Sequence, residues 1–152
     1  MFNIMLSVQL KSIMKANVLC DPKEDGSVTL KEKKMMTFKL AGVPSEIAVI
    51  KLDDIGQIKG IEDNKCRQIC DYVVFCRVNG RETAIFIELK KTLYNGKKKG
   101  MEQLYRSVPL AEYLDAVCRL HYDVGARKSP IDYRFFLVCK KSTNRFDKQI
   151  CV

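Results

Sequence analysis

The stretch whose reading decides the fold runs from Cys70 to Lys91, CDYVVFCRVNGRETAIFIELKK. Two runs rich in Val, Ile, Phe and Tyr flank Asn79-Gly80. That dipeptide suits a two-residue type I′ turn, which needs positive φ at both central positions. With the turn at 79 and 80, Val78 pairs with Arg81, and the same register sets Asp71 directly opposite Glu88. Opposed residues share a face, their Cβ atoms roughly 4.5–5.5 Å apart. Lys90, two residues past Glu88, joins them on that face.

Two opposed carboxylates repel each other. At about 5 Å and an effective dielectric of about 20 the cost is roughly 3 kcal/mol. A divalent cation between them reverses the sign, because hard cations such as Mg²⁺ take carboxylate oxygens. The ammonium of Lys90 alongside suits an anionic substrate or a water losing its proton. The residue types therefore point to metal-assisted phosphate chemistry.

Asp71, followed after sixteen residues by Glu88-Leu89-Lys90 at the close of an apolar strand, resembles the PD-(D/E)XK nuclease superfamily, which is restriction-endonuclease-like. The resemblance spans roughly residues 46 to 140: a preceding strand, the hairpin, a following helix carrying Gln103 and a late strand. Cys70 stands where the superfamily's name has Pro, and no early helix with an accessory Glu is assigned. The resemblance implies a nuclease acting on nucleic acid, with DNA the expected form. Asp71 and Glu88 would hold Mg²⁺, or Mn²⁺ in its place, with the backbone carbonyl of Leu89 as a further ligand. Lys90 would act on the attacking water and Gln103 would position Lys90 or a phosphate oxygen. The products would be 5′-phosphate and 3′-hydroxyl ends.

The remainder of the chain is compatible with this. At 152 residues it is long enough for one continuous core. The expectation is a single α/β domain, 1–152, with a central mixed sheet, flanking helices and the site on the hairpin. Its core would be residues 46–140, and residues 1–45 an N-terminal helix and hairpin extension. A net charge of +9 suits a polyanionic partner. Lys91, Lys97, Lys98, Lys99 and Arg106 are the expected phosphate contacts. A homodimer or larger complex stays open.

Several function classes are excluded. With His121 the single histidine, histidine-dependent nucleophiles and His-ligated metal centres drop out. No GxxxxGK[ST] or GxGxxG string cradles a nucleotide. Seven cysteines, scattered through apolar segments, read as reduced thiols of a cytoplasmic protein. Cys66 and Cys70 are too poorly spaced with the others for zinc. The first nineteen residues are too often interrupted by polar side chains to span a membrane, and no targeting segment is read there.

Along the chain, Leu6, Leu10, Ile13, Met14 and Val18 predict a helix over 2–19. Residues 28–40, centred on a charge run, read as a solvated hairpin edge. EIAVIKLD, 46–53, predicts a strand with Ile47, Val49 and Lys51 on one face and Ala48, Ile50 and Leu52 on the other. Glu62 and Asp63 lie in a polar loop, 56–65, and read as ordinary loop acids, the alternative being an extra metal or water ligand. KKTLYNGKKK, 90–99, predicts a flexible loop. A helix follows over 100–121, kinked at Pro109 or restarted there with Ser107 as N-cap. Gln103 falls at the edge of its apolar stripe, beside Lys99 and Arg106. Residues 132–140 predict a last strand, and the remainder a short tail.

Two rival functions are a nucleic-acid-binding module of the same fold that does not cut, and an interaction protein whose acids and lysines pair on the surface.

Overall fold

Asn79 and Gly80 take φ of 50° and 79°, the positive values a type I′ turn requires. The turn joins β4, Tyr72–Val78, to β5, Arg81–Lys90, in antiparallel register with Val78 against Arg81 and Tyr72 against Ile87. The computed structural model describes residues 4–33, 36–52, 55, 68–94, 96–122, 124–125 and 129–140. The loop acids Glu62 and Asp63 and the tail after Lys140 lie outside them.

The hairpin is the centre of a mixed four-stranded sheet. β3, Ala48–Lys51, pairs antiparallel with β4, and β6, Asp132–Cys139, pairs parallel with β5. Parallel neighbours need a crossover, here supplied by α2, Lys97–Arg106, and α3, Val108–His121. An N-terminal helix, α1, Leu6–Ile13, completes the helical layer. The chain is thus α/β with a mixed sheet.

Both sheet faces are covered, as apolar side chains on both faces require. On one, Val73, Phe75, Ala84 and Phe86 pack with Ile50, Leu6, Leu10, Leu104, Ala111 and Leu114. Phe75 and Phe86 are fully buried there, each stabilising the fold by roughly 1.5–3 kcal/mol relative to exposure. On the other, Val49, Tyr72, Val74, Ile87 and Leu89 pack beneath a second, two-stranded sheet, β1, Val28–Glu32, with β2, Met36–Leu40. That pair is not the solvated edge its charge run suggests. Val28, Leu30 and Met36 are buried, because their alternation presents one apolar face whatever the lysines do on the other.

Tyr72 pins this second layer. Its hydroxyl accepts the Lys31 N–H and donates to the Lys31 carbonyl, both at 2.8 Å. Tyr72→Phe leaves two backbone groups without that partner, so stability should fall by about 1–3 kcal/mol in denaturant unfolding. A loss within about 0.5 kcal/mol, the range of ordinary surface changes, would show that the hairpin does not depend on the hydroxyl.

Three boundaries differ from the sequence expectation. The first helix stops at Ile13, and Val18 to Cys20 instead run beside β3: Cys20 N–H donates to Val49 and Lys51 N–H to Val18, each at 2.8 Å. Extended backbone there satisfies the outer edge of β3, which outweighs the helical spacing of Val18. The strand expected over 46–53 is regular only from Ala48 to Lys51, with its faces divided as expected. Residues 97–99, expected in a loop, form the first turn of α2.

Candidate active site

The β4–β5 ladder ends at Tyr72 and Ile87, and side chains take over from there. Asp71 N–H donates to Glu88 Oε2 at 3.1 Å, and Leu89 N–H donates to Asp71 Oδ2 at 2.7 Å. Leu52 N–H donates to the Asp71 carbonyl at 2.9 Å, tying β3's end to the same point. Glu88 is 1% exposed and Asp71 6%. Lys90 Nζ forms an ion pair with Glu88 Oε1 and donates to Gln103 Oε1 at 2.8 Å. Gln103 Nε2 donates in turn to the Ile69 carbonyl at 3.1 Å. Asp71, Glu88, Lys90 and Gln103 therefore form one hydrogen-bonded set across two strand ends and a helix.

The reciprocal bonds change one consequence of the opposed carboxylates. Repulsion alone would make Asp71→Ala and Glu88→Ala neutral or stabilising in the metal-free protein. Each carboxylate, however, serves as the acceptor for a backbone N–H where the ladder has ended. Alanine removes that acceptor at a cost of about 1–3 kcal/mol, so the amide isosteres are the informative variants.

Burial pushes the Glu88 carboxyl above its ordinary range, more strongly than the adjacent Lys90 lowers it. Burial also pushes the Cys70 thiol up to about 12, leaving it inert as a nucleophile.

The donor set fits a hard cation. Mg²⁺ is commonly held by one or two carboxylates, keeping waters and substrate phosphate at its other positions, and the buried Asp71 and Glu88 side chains are both anchored at this strand end. Leu89 sends its N–H toward Asp71. Leu89 lies in β5, and in an extended strand a residue's N–H and C=O leave on the same side, which turns the Leu89 carbonyl that way too. Among the described residues no group of three or more His, Cys, Asp or Glu side chains could enclose a metal, so a closed cage of the structural-zinc type is not formed there. None of the described cysteines, Cys20, Cys70, Cys76, Cys118 and Cys139, is joined in a disulfide. Helix α1, LSVQLKSI, carries no acid and offers no accessory ligand.

The basic residues divide into two groups. Lys91, Lys97, Lys98 and Lys99 are exposed, and the last three occupy the first turn of α2. Cations are unfavourable at that end of a helix dipole, and no acidic side chain in the turn offsets them. Arg106 sits at the other end of α2, about 13 Å along its axis. Its guanidinium is held by Gln68 Oε1 at 2.7 Å and Glu102 Oε2 at 3.5 Å. The structure gives it a bracing role before β4 and does not group it with the lysines.

Two contributions were not foreseen from sequence. Ser107 does not cap α3 with its side chain. Its hydroxyl accepts the Cys70 N–H and donates to the Gln103 carbonyl, both at 2.8 Å, fastening the start of β4 to α2. Gly96 and Gly100 border the Lys90 stem. A Cβ on Gly96 would lie 2.8 Å from the Thr92 carbonyl oxygen and one on Gly100 2.7 Å from Leu137 Cδ1, while both would stay in ordinary contact, 3.4–3.5 Å, with Lys90. The i,i+4 spacing of two glycines on a helix face was the available signal, since glycine there disfavours the helix unless something approaches closely.

Comparisons with protein-family models, with curated proteins and with solved structures return no match. Among the described residues no helix is long and apolar enough to cross a membrane.

Proposed function

We propose that the chain is a Mg²⁺-dependent nuclease hydrolysing phosphodiester bonds in nucleic acid, with DNA the expected substrate. The observation that carries this reading is the joined set of Asp71, Glu88, Lys90 and Gln103 at the ends of central strands. Further support comes from the order of elements: β3, the β4–β5 hairpin, α2 with Gln103, then β6. It is the order that the resemblance to PD-(D/E)XK, restriction-endonuclease-like proteins implies.

Asp71 and Glu88 would hold the cation, with the Leu89 carbonyl as the third protein ligand. Bound there, Mg²⁺ supplies Lewis-acid polarisation of a phosphoryl oxygen and acidifies water. Lys90 orients the attacking water and offsets negative charge that develops on the phosphoryl oxygens. Gln103 fixes the Lys90 amine from the helix side, so the charge is in place before substrate arrives. The lysines at the start of α2 bind the phosphate backbone.

Affinity for nucleic acid should then fall steeply with salt. Each of Lys91→Ala, Lys97→Ala, Lys98→Ala and Lys99→Ala that removes a phosphate contact should reduce the log–log slope by roughly 0.7 to 0.9. Arg106→Ala should leave the slope unchanged, because its guanidinium is engaged with Gln68 and Glu102. Fluorescence anisotropy between 50 and 200 mM salt reads the slope directly. An affinity indifferent to salt over that range, or no binding at all, would remove nucleic acid as the partner. A cleavage assay separates this enzyme from a module that binds without cutting.

A further inference from the structure

Tyr94 is 97% exposed, in the turn that leads from the end of β5 into α2. The turn itself is well anchored. Leu93 packs against the helix-side core, and its carbonyl accepts the N–H groups of Gly96 at 3.3 Å and Lys97 at 3.1 Å. An aromatic ring left wholly in water on an anchored turn forgoes the burial that normally justifies it. Tyr105 is 56% exposed but keeps its ring 4.9 Å from that of Phe135, a contact that Tyr94 at 97% exposure has no room for.

The turn lies against the catalytic lysine. Gly96 is within van der Waals reach of the Lys90 stem, and the Tyr94 Cα is at most about 7 Å from that of Gly96 along the chain. Exposed Lys91, Lys97, Lys98 and Lys99 flank it in sequence on both sides. Three of these four stand where the dipole of α2 disfavours cations, a cost that a bound polyanion offsets.

We propose that the nucleic acid handled at this site presents unpaired bases, and that Tyr94 stacks on one of them while the surrounding lysines hold the phosphates. An aromatic face within a basic track is how single strands are bound without regard to sequence. A duplex keeps its base faces stacked inside and offers the ring little except at its ends. This inference rests on the nuclease reading above and names the substrate's form.

The test measures binding by the full chain in EDTA, using three fluorescent probes. These are an oligothymidine, an abasic oligomer of equal length and a hairpin duplex. The wild type should prefer oligothymidine over the abasic strand by about tenfold. Tyr94→Ala should lower the oligothymidine affinity to the abasic level and leave the abasic affinity unchanged, and Tyr94→Trp should restore the preference. Equal wild-type affinity for the two strands, or oligothymidine binding unaltered in Tyr94→Ala, overturns the stacking role while the nuclease reading stands. Wild-type preference for the duplex overturns the single-stranded assignment. Failure to bind any probe overturns both readings together.

Discussion

Glu88→Gln should abolish divalent-cation-dependent cleavage in a protein that remains folded, and Asp71→Asn should do the same. Each amide is close in shape to the carboxylate it replaces and keeps an oxygen for the backbone N–H that the carboxylate now accepts, from Asp71 or Leu89, although in Glu88→Gln the amide nitrogen then faces Lys90 where Oε1 stood. What it loses is the charge that draws a hard cation. The stability of Glu88→Gln follows from the burial of Glu88. A carboxyl raised above its unfolded value near 4.5 is favoured in its protonated form by the fold. That contribution is fully present below 4.5 and is lost as pH rises through the folded value, above which the buried charge weighs against the native state. At pH 7 without metal, Glu88→Gln should therefore melt at or above the wild-type temperature, and any advantage should shrink as pH falls through the folded value and be gone below about 4.5. A sharp drop in melting temperature for both amide variants, with no metal binding by the wild type, would make the carboxylate pair structural.

Lys90→Ala should cut kcat by two to three orders of magnitude, the scale on which losing one well-placed electrostatic group slows a reaction. Substrate affinity should change little, since the group acts on charge that develops in the transition state. Lys91→Ala should do the reverse, weakening binding by a small factor and sparing the chemical step. The two positions are adjacent and carry the same charge, so the net charge change cannot distinguish them. Their surroundings do. Lys90 is held by Glu88 and Gln103, whereas Lys91 is exposed just past the end of β5. Lys90→Ala also leaves Glu88 buried without its counter-charge, so single-turnover rates should be compared at saturating Mg²⁺. Equal losses in both variants would detach Lys90 from the chemistry.

The hairpin was legible because Asn79-Gly80 fixes a turn type, the turn type fixes the register, and a period of two then fixes both faces. Asp71, Glu88 and Lys90 could be placed together on that logic alone. Gln103 needed only a helical wheel. The start of α2 was not legible. Asn-Gly followed by three lysines has the composition of a loop, and cations at a helix's positive end oppose its dipole. The docking of β1 and β2 was hidden by charges on their outer face, although Val28 and Leu30 already alternate correctly. Ser107 was read by local rules as a cap, and its hydroxyl instead met Cys70 across 37 residues of sequence. Contacts of that separation leave no local pattern.

The most direct test of the account is cleavage of labelled single- and double-stranded DNA and RNA by the purified chain in Mg²⁺, in Mn²⁺ and in EDTA, with Glu88→Gln prepared in parallel. The account predicts cleavage by the wild type in either metal, none in EDTA, 5′-phosphate ends on the products, and no cleavage by Glu88→Gln. An intact substrate panel with the folded wild type, or metal-dependent cutting that persists at full rate in Glu88→Gln, would contradict it.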